Sequence, residues 1–223
     1  TVDGKYYTYE ELFNKIKANQ TDKDGKLVVL YTSDKDAQHS YIESAKSKDY
    51  EVLLLDSPII SHLIQKLEST KENVTFARVD GDHINNLIKK DETTISKLDE
   101  DQTKALDELL KEVIPSDKFM VQLEAMDSNE SPFTITQPEF MRRMKEMQAT
   151  GGGGFMGMGD FPEMYNLVVN TNNELIGEIL STKTEKKQER LIKQAFDLAR
   201  LSQNLLKGEE LTNFIKRSFQ MIK

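Results

Sequence analysis

The first 85 residues alternate two hydrophobic periods. Thr8 stands three residues before Glu11, the spacing of a capping box, and Leu12, Phe13 and Ile16 then give the helix that follows one apolar face. Lys26-Leu-Val-Val-Leu-Tyr31 is a short β-branched run that reads as a buried strand. The pattern continues with a helix over 36–48, where Tyr41, Ile42 and Ala45 share a side. A strand over 51–56, a helix over 58–68 and a strand over 74–79 complete it. Strands alternating with helices predict a parallel sheet with right-handed crossovers. This half reads as a small α/β parallel-sheet subdomain, residues 1–85.

Residues 83–104 are polar and acidic and read as a linker or hinge. Beyond them the pattern changes class. A helix over 104–114 stops at Pro115, which cannot continue it smoothly. In 119–125, Val121, Leu123 and Ala125 alternate with Gln122 and Glu124, as in a half-buried strand. Residues 127–132 form a turn, across which 133–135 is expected to pair back. A strand over 165–169 follows a Gly-rich loop, and helices over 185–206 and 209–222 close the chain, broken at Lys207-Gly208. The expectation is an α+β domain, residues 86–223, with a small antiparallel sheet and a C-terminal helical dimerisation tail.

The net charge of −8 divides evenly about residue 85. An even acidic balance argues against a nucleic-acid partner, which would want a clustered basic surface. No apolar run approaches the ~20 residues of a membrane helix, so no membrane partner is expected. Cysteine is absent, which excludes disulfides, thiolate nucleophiles and Cys-based metal sites and fits a reducing, cytoplasmic setting. The chain opens at Thr1 with no charged, apolar, small-residue leader. It is expected to be a binding and self-association piece of a longer intracellular protein.

Catalytic and cofactor patterns are missing. His39, His62 and His83 are scattered, without an HExxH-type pairing, and no metal site is expected. Asp80-Gly81-Asp82 lacks the later ligands of a calcium loop and reads as a strand-end turn. The glycines of 151–159 follow a helix and carry no Lys-Ser/Thr pair, unlike a phosphate cradle. The chain is not expected to be an enzyme.

Two features carry positive information. Eight of the nine methionines lie between Met120 and Met164. Within that window Thr136 and Glu139 repeat the capping-box spacing, and Pro138 suits a first helical turn. Phe140, Met144 and Met147 then line one stripe with Met141 on its flank, while Arg142, Lys145 and Glu146 cover the rest. An amphipathic helix packed on its own core would show the same stripe. Methionine's adaptability, and a flexible loop carrying Phe155, Met156 and Met158, favour an exposed partner-binding surface. In the tail, Leu191, Ala195, Leu198, Ser202 and Leu205 share one helical face, and Ile192, Phe196, Ala199 and Leu206 the next. Leu211, Phe214, Ile215, Phe219 and Ile222 form a single stripe on the last helix. One face can dock on the domain's own sheet; the other is expected to pair with a second copy.

Gly4-Lys-Tyr-Tyr-Thr-Tyr-Glu-Glu11, Gln38-His-Ser-Tyr-Ile-Glu43, Tyr50-Glu-Val-Leu-Leu-Leu-Asp56 and Phe76-Ala-Arg-Val-Asp80 resemble the end of the middle domain of the ninety-kilodalton heat-shock chaperones, bacterial HtpG type. Ser131-Pro-Phe-Thr-Ile-Thr136, the Met-rich helix, Asn166 to Ile176 and Ala195-Phe-Asp-Leu-Ala-Arg200 resemble that family's C-terminal dimerisation domain. The resemblance implies a homodimeric, ATP-driven chaperone for partly folded client proteins. It places the ATP and Mg site in an N-terminal domain upstream of Thr1, and implies no cofactor for this piece. It assigns client contact to Phe140, Met144, Met147 and Gln148, and Met141 on the flank of that stripe is expected to join them. His62, with Gln65 one turn on, stands where many relatives carry a client-facing tryptophan. The chain ends at Lys223 without the acidic tail of eukaryotic cytosolic members, which implies a bacterial type. An adaptor binding one dedicated protein partner is the competing expectation.

Overall fold

The computed structural model describes residues 1–57, 59–91, 94–143 and 164–222. The chain divides into two compact units, Thr1–Thr93 with Gln137–Glu163 and Thr94–Thr136 with Met164–Lys223. The expected single cut at residue 85 differs from this division, because the chain leaves the first unit after Thr93 and re-enters it at Gln137.

The first unit is a three-layer α/β arrangement. Its elements are α1 (Tyr9–Gln20), β1 (Leu27–Thr32), α2 (His39–Lys46), β2 (Val52–Leu54), α3 (Ile60–Thr70), β3 (Val74–Arg78) and α4 (Ile84–Leu87). The strands form one parallel sheet in the order β2-β1-β3. β1 is central, and its alternating side chains feed two cores. Val28 and Leu30 pack with Tyr41, Ile42 and Ala45 of α2 and with Ile84 and Ile88. Val29 and Tyr31 pack with Leu12 and Ile16 of α1, Ile64 of α3 and Phe76 of β3. That double burial is why β1 reads as a continuous apolar run.

Local chemistry sets the boundaries. The Thr8–Glu11 capping box forms and starts α1. α2 begins at His39 rather than 36, because the Asp34 carboxylate holds the Asp36 and Ala37 N–H groups in a turn, each at 3.0 Å. α4 had no counterpart in the sequence pattern; it is a single turn capped by His83.

The second unit comprises α5 (Glu100–Val113), β4 (Phe119–Glu124), β5 (Phe133–Thr136), β6 (Tyr165–Asn170), α7 (Glu174–Ser181), α8 (Glu185–Ser202) and α9 (Gly208–Met221). Its sheet is mixed, not antiparallel as expected: the order is β4-β6-β5, with β4 parallel and β5 antiparallel to β6. β5 therefore does not pair back on β4 across the 127–132 turn. β6 takes the centre because Leu167, Val168 and Val169 bury both faces of one strand, an arrangement only an inner position satisfies. The stretch 98–102, expected as linker, contains the Asp99–Gln102 capping box that starts α5. Leu106 and Leu110 of α5, Phe133 and Ile135 of β5, Ile176 and Ile179 of α7, and Ile192 and Phe196 of α8 close one core over the sheet.

α8 ends at Ser202, short of the expected 206. Asn204 adopts φ 55°, and the N–H groups of Asn204 and Leu205 return to the carbonyls of Leu201 and Arg200. These are the two bonds of a Schellman stop, in which asparagine substitutes for the usual glycine.

Candidate interaction surfaces

The tail helices are clasped by a buried charge cluster. Asp197 of α8 accepts from Arg217 of α9 at 2.7 Å and from Arg200 on its own helix at 3.1 Å. Arg200 also reaches Glu210 at 2.6 Å, and Gln194 both accepts from Arg217 and donates to Ser218. Glu210 is held below the ordinary glutamate range, chiefly by the hydrogen bond from Arg200.

This clasp sorts the residues expected at a dimer seam. Ile192, Ala195, Phe196, Ala199, Leu206 and Phe214 are buried within this chain, so they are core rather than free surface. Leu191 and Leu205 are half-buried against the same core, and Leu211 is half-buried too. Ala195 is buried with Ile192, apart from the exposed Leu198, because the face toward the sheet is wider than the stripe expected to hold Leu191, Ala195 and Leu198 together. What remains exposed is Leu198 on α8, Ile215 and Phe219 on α9 and Ile222 just past its end, with Phe219 66% and Ile222 82% accessible. Leu201, which the periodicity did not single out, is exposed one turn beyond Leu198.

In the first unit, residues 139–143 are helical and are labelled α6. The Thr136–Glu139 capping box does not form. Thr136 is the buried last residue of β5, and the Pro138 carbonyl takes the Arg142 N–H at 3.1 Å. Glu139 points forward instead, accepting from Arg142 and from Arg143 at 2.7 Å. Arg142, expected on the solvent side, is 4% exposed and donates to the Tyr31 hydroxyl at 2.6 Å. Arg143 pairs with Glu68 of α3 at 2.9 Å. Arg78 binds Asp80 and Gln137, whose N–H donates to the Asp80 carbonyl at 2.9 Å. The entry to α6 is therefore fixed to the sheet by polar side chains, leaving Phe140 71% exposed and Met141 half-buried.

His62 and Gln65 are exposed on α3, one turn and more before Glu68. Met144, Met147, Gln148, Phe155 and Met156 lie outside the described residues. Among the described residues, no group of three His, Asp or Glu side chains could hold a metal ion, and no helix is long and apolar enough to cross a membrane.

No family model matches the chain. Curated proteins do. The chaperone protein HtpG of Bacteroides fragilis strain YCH46 is 35% identical, over 99% of this chain and 42% of the relative. That of Bacteroides thetaiotaomicron is also 35% identical with the same coverage. The chain belongs with the HtpG-type chaperones. The HtpG of Porphyromonas gingivalis ATCC 33277 is 39% identical over 204 residues, covering 90% of this chain and 30% of the relative. This HtpG-type chain thus spans less than half the length of these relatives. The similarity runs through both compact units.

Proposed function

We propose that this HtpG-type chain, as the C-terminal portion of a chaperone, forms a homodimer through the exposed stripes of α8 and α9 and engages partly folded proteins through Phe140 and the Met-rich segment after it. The observation that carries the dimer is the sorting of the tail. With Ile192 and Phe196 satisfied inside the chain, Leu198, Leu201, Ile215 and Phe219 on two helices joined through Asp197, and Ile222 just past their end, remain apolar and accessible. A second copy would cover them isologously, at about 25 cal/mol per Å² of apolar burial less the cost of association. Client binding rests on Phe140, an aromatic ring held out from a helix whose neighbours are anchored. ATP-driven motion would be supplied by a part of the parent that this chain does not include, and it would alter how Phe140 faces a client.

The test is mass by light scattering over a concentration series, on the chain and on Ile215→Ser/Phe219→Ser. A twofold mass that reverts to the monomer in the variant, with the thermal transition of the monomer unchanged, supports the seam. A monomer at all concentrations, or a dimer indifferent to the substitutions, removes it. For clients, Phe140→Ser should weaken capture of a panel of unrelated denatured proteins while leaving the mass unchanged. Loss of binding to one panel member alone would instead point to an adaptor.

A further inference from the structure

Among the described residues β3 is an edge strand of the first unit's sheet. Its pairing with β1 uses alternate backbone groups: Leu27 N–H donates to the Asn73 carbonyl at 2.8 Å and Val79 N–H to the Tyr31 carbonyl at 2.9 Å. In a parallel ladder the intervening residues, Val74, Phe76 and Arg78, then turn their N–H and C=O groups to the other side. At Phe76 both are met by side chains. The Phe76 N–H donates to Glu68 Oε1 at 2.8 Å, and its carbonyl accepts from Arg143 Nη2 at 3.0 Å. Glu68 and Arg143 are themselves paired, Nη1 to Oε2, at 2.9 Å.

An acceptor and a donor fixed side by side at a strand edge are what the backbone of a further strand would bring. Charged side chains over an exposed edge also keep other chains from pairing there. We propose that the Glu68–Arg143 pair is a removable plug, and that an extended polypeptide segment adds to β3 as a fourth strand when the pair opens. The surroundings suit that occupant. An open groove of about 830 Å³ runs beside β3, between Lys71, Val74 and Phe76 on one side and Glu139, Phe140 and Arg143 on the other. β3 has five residues, of which the last, Arg78, gives its carbonyl to the Gly81 N–H at 2.9 Å; the four before it, at ~3.3 Å each, offer a pairing length of about 13 Å. The exposed Phe140 ring supplies an apolar contact for a side chain of the added strand. The plug can part without stranding charge, because the Arg143 and Glu68 side chains are 31% and 22% exposed and water can take over their hydrogen bonds. The recognised feature is the client's backbone, which makes the binding tolerant of sequence. The inference builds on the client-binding reading above and gives it a binding mode.

The test uses the whole chain and a fluorophore-labelled octapeptide of alternating Thr and Val, read by anisotropy, beside the same peptide N-methylated at alternate residues. Glu68→Ala/Arg143→Ala should bind the unmethylated peptide about tenfold more tightly than the parent chain and show no gain for the methylated one. Equal affinities for the parent and the variant would overturn the proposal, and so would an equal gain for both peptides. If the double variant does not fold, Arg143→Met carries the test, with a gain of the same sign and the same sensitivity to methylation. Phe140→Ser separates the two readings. Loss of denatured-protein capture in that variant, with peptide affinity indifferent to the plug, sinks the edge inference alone. A plug effect with no role for Phe140 in capture sinks the Phe140 reading alone.

Discussion

Asp197, 5% exposed in the middle of α8, accepts a 2.7 Å hydrogen bond from Arg217 of α9. Between them lies the whole turn of 203–207, so this carboxylate joins the last two helices at the centre of a cluster that also includes Arg200–Glu210 and Gln194–Ser218. Arg200 binds the same carboxylate, and both guanidiniums are largely buried. Asp197→Ala leaves two cations facing an empty site. It should destabilise the second unit by about 2–4 kcal/mol, read as a lower urea midpoint at unchanged slope. Asp197→Asn, which keeps one acceptor but removes the charge, should fall between the two.

The sorting of apolar residues in the tail predicts opposite outcomes for two phenylalanines. Phe196 is 4% exposed and meets the Phe119 ring edge-on at 4.9 Å. Phe196→Ala should cost about 3–5 kcal/mol, as for a buried aromatic whose cavity cannot fully collapse. Phe219→Ala removes an exposed ring and should change the stability of the monomer by no more than about 0.5 kcal/mol. Denaturation at a protein concentration low enough to suppress association checks both. Equal losses at the two positions would mean that α9 is packed more deeply than its exposure indicates.

Much of this arrangement was legible in the amino-acid sequence, for reasons that are local. Thr8 and Glu11 form their box within one turn, and the 26–31 run is apolar on both faces because β1 is sandwiched. The periodicity also showed that the tail has more apolar surface than one face can bury. What stayed hidden depends on partners distant in the chain. Nothing near Arg142 announces a hydrogen bond to Tyr31, 111 residues away, so helical period alone placed it toward solvent. Likewise, alternation in 119–125 and 133–135 reveals two strands, but not that β6 inserts between them. The central place of β6 follows from the burial of Val168 on the second face, which a window over 165–169 does not disclose. α7 was missed because its eight residues are short and largely apolar, a composition that periodicity cannot assign.

The tie between α3 and α6 is pH-dependent with a definite sign. Burial works against the charge of Glu68, but hydrogen bonds from Arg143 and from the Phe76 N–H outweigh it, and the carboxyl lies below the ordinary glutamate value of 4.5. A depressed carboxyl stabilises the folded form above the unfolded value, and that contribution fades as pH falls through the lower folded one. Arg143 keeps its proton throughout this range. Stability should therefore decline in acid more steeply in the parent chain than in Glu68→Gln, whose amide does not titrate. Parallel curves for the two below pH 4.5 would show that Glu68 does not carry the effect.

The end of β6 makes the most demanding prediction, because one asparagine just past it ties down two separate segments. Asn172 is 6% exposed. Its amide donates to the carbonyls of Ile95 and Met126, each at 3.0 Å, and its oxygen accepts from the Lys97 N–H at 2.7 Å. Asn170 beside it accepts from the N–H groups of Met126 and Asn172 and donates to the Asp127 carbonyl. Asn173 then caps α7 through the Leu175 N–H. Asn172→Ala would strand two carbonyls and one N–H that have little access to water, at about 2–3 kcal/mol. Asn172→Asp tests the donors alone, since a carboxylate still accepts from Lys97 but faces two carbonyls with no proton to offer. It should be at least as damaging as alanine at neutral pH and should recover part of the loss in acid, where the carboxyl gains a proton. Hydrogen exchange gives the local readout: the Lys97 amide should lose protection in Asn172→Ala and keep it in Asn172→Asp. Loss of protection in both would mean that the 95–97 segment is held by the two donated bonds, and that the accepted one follows from them.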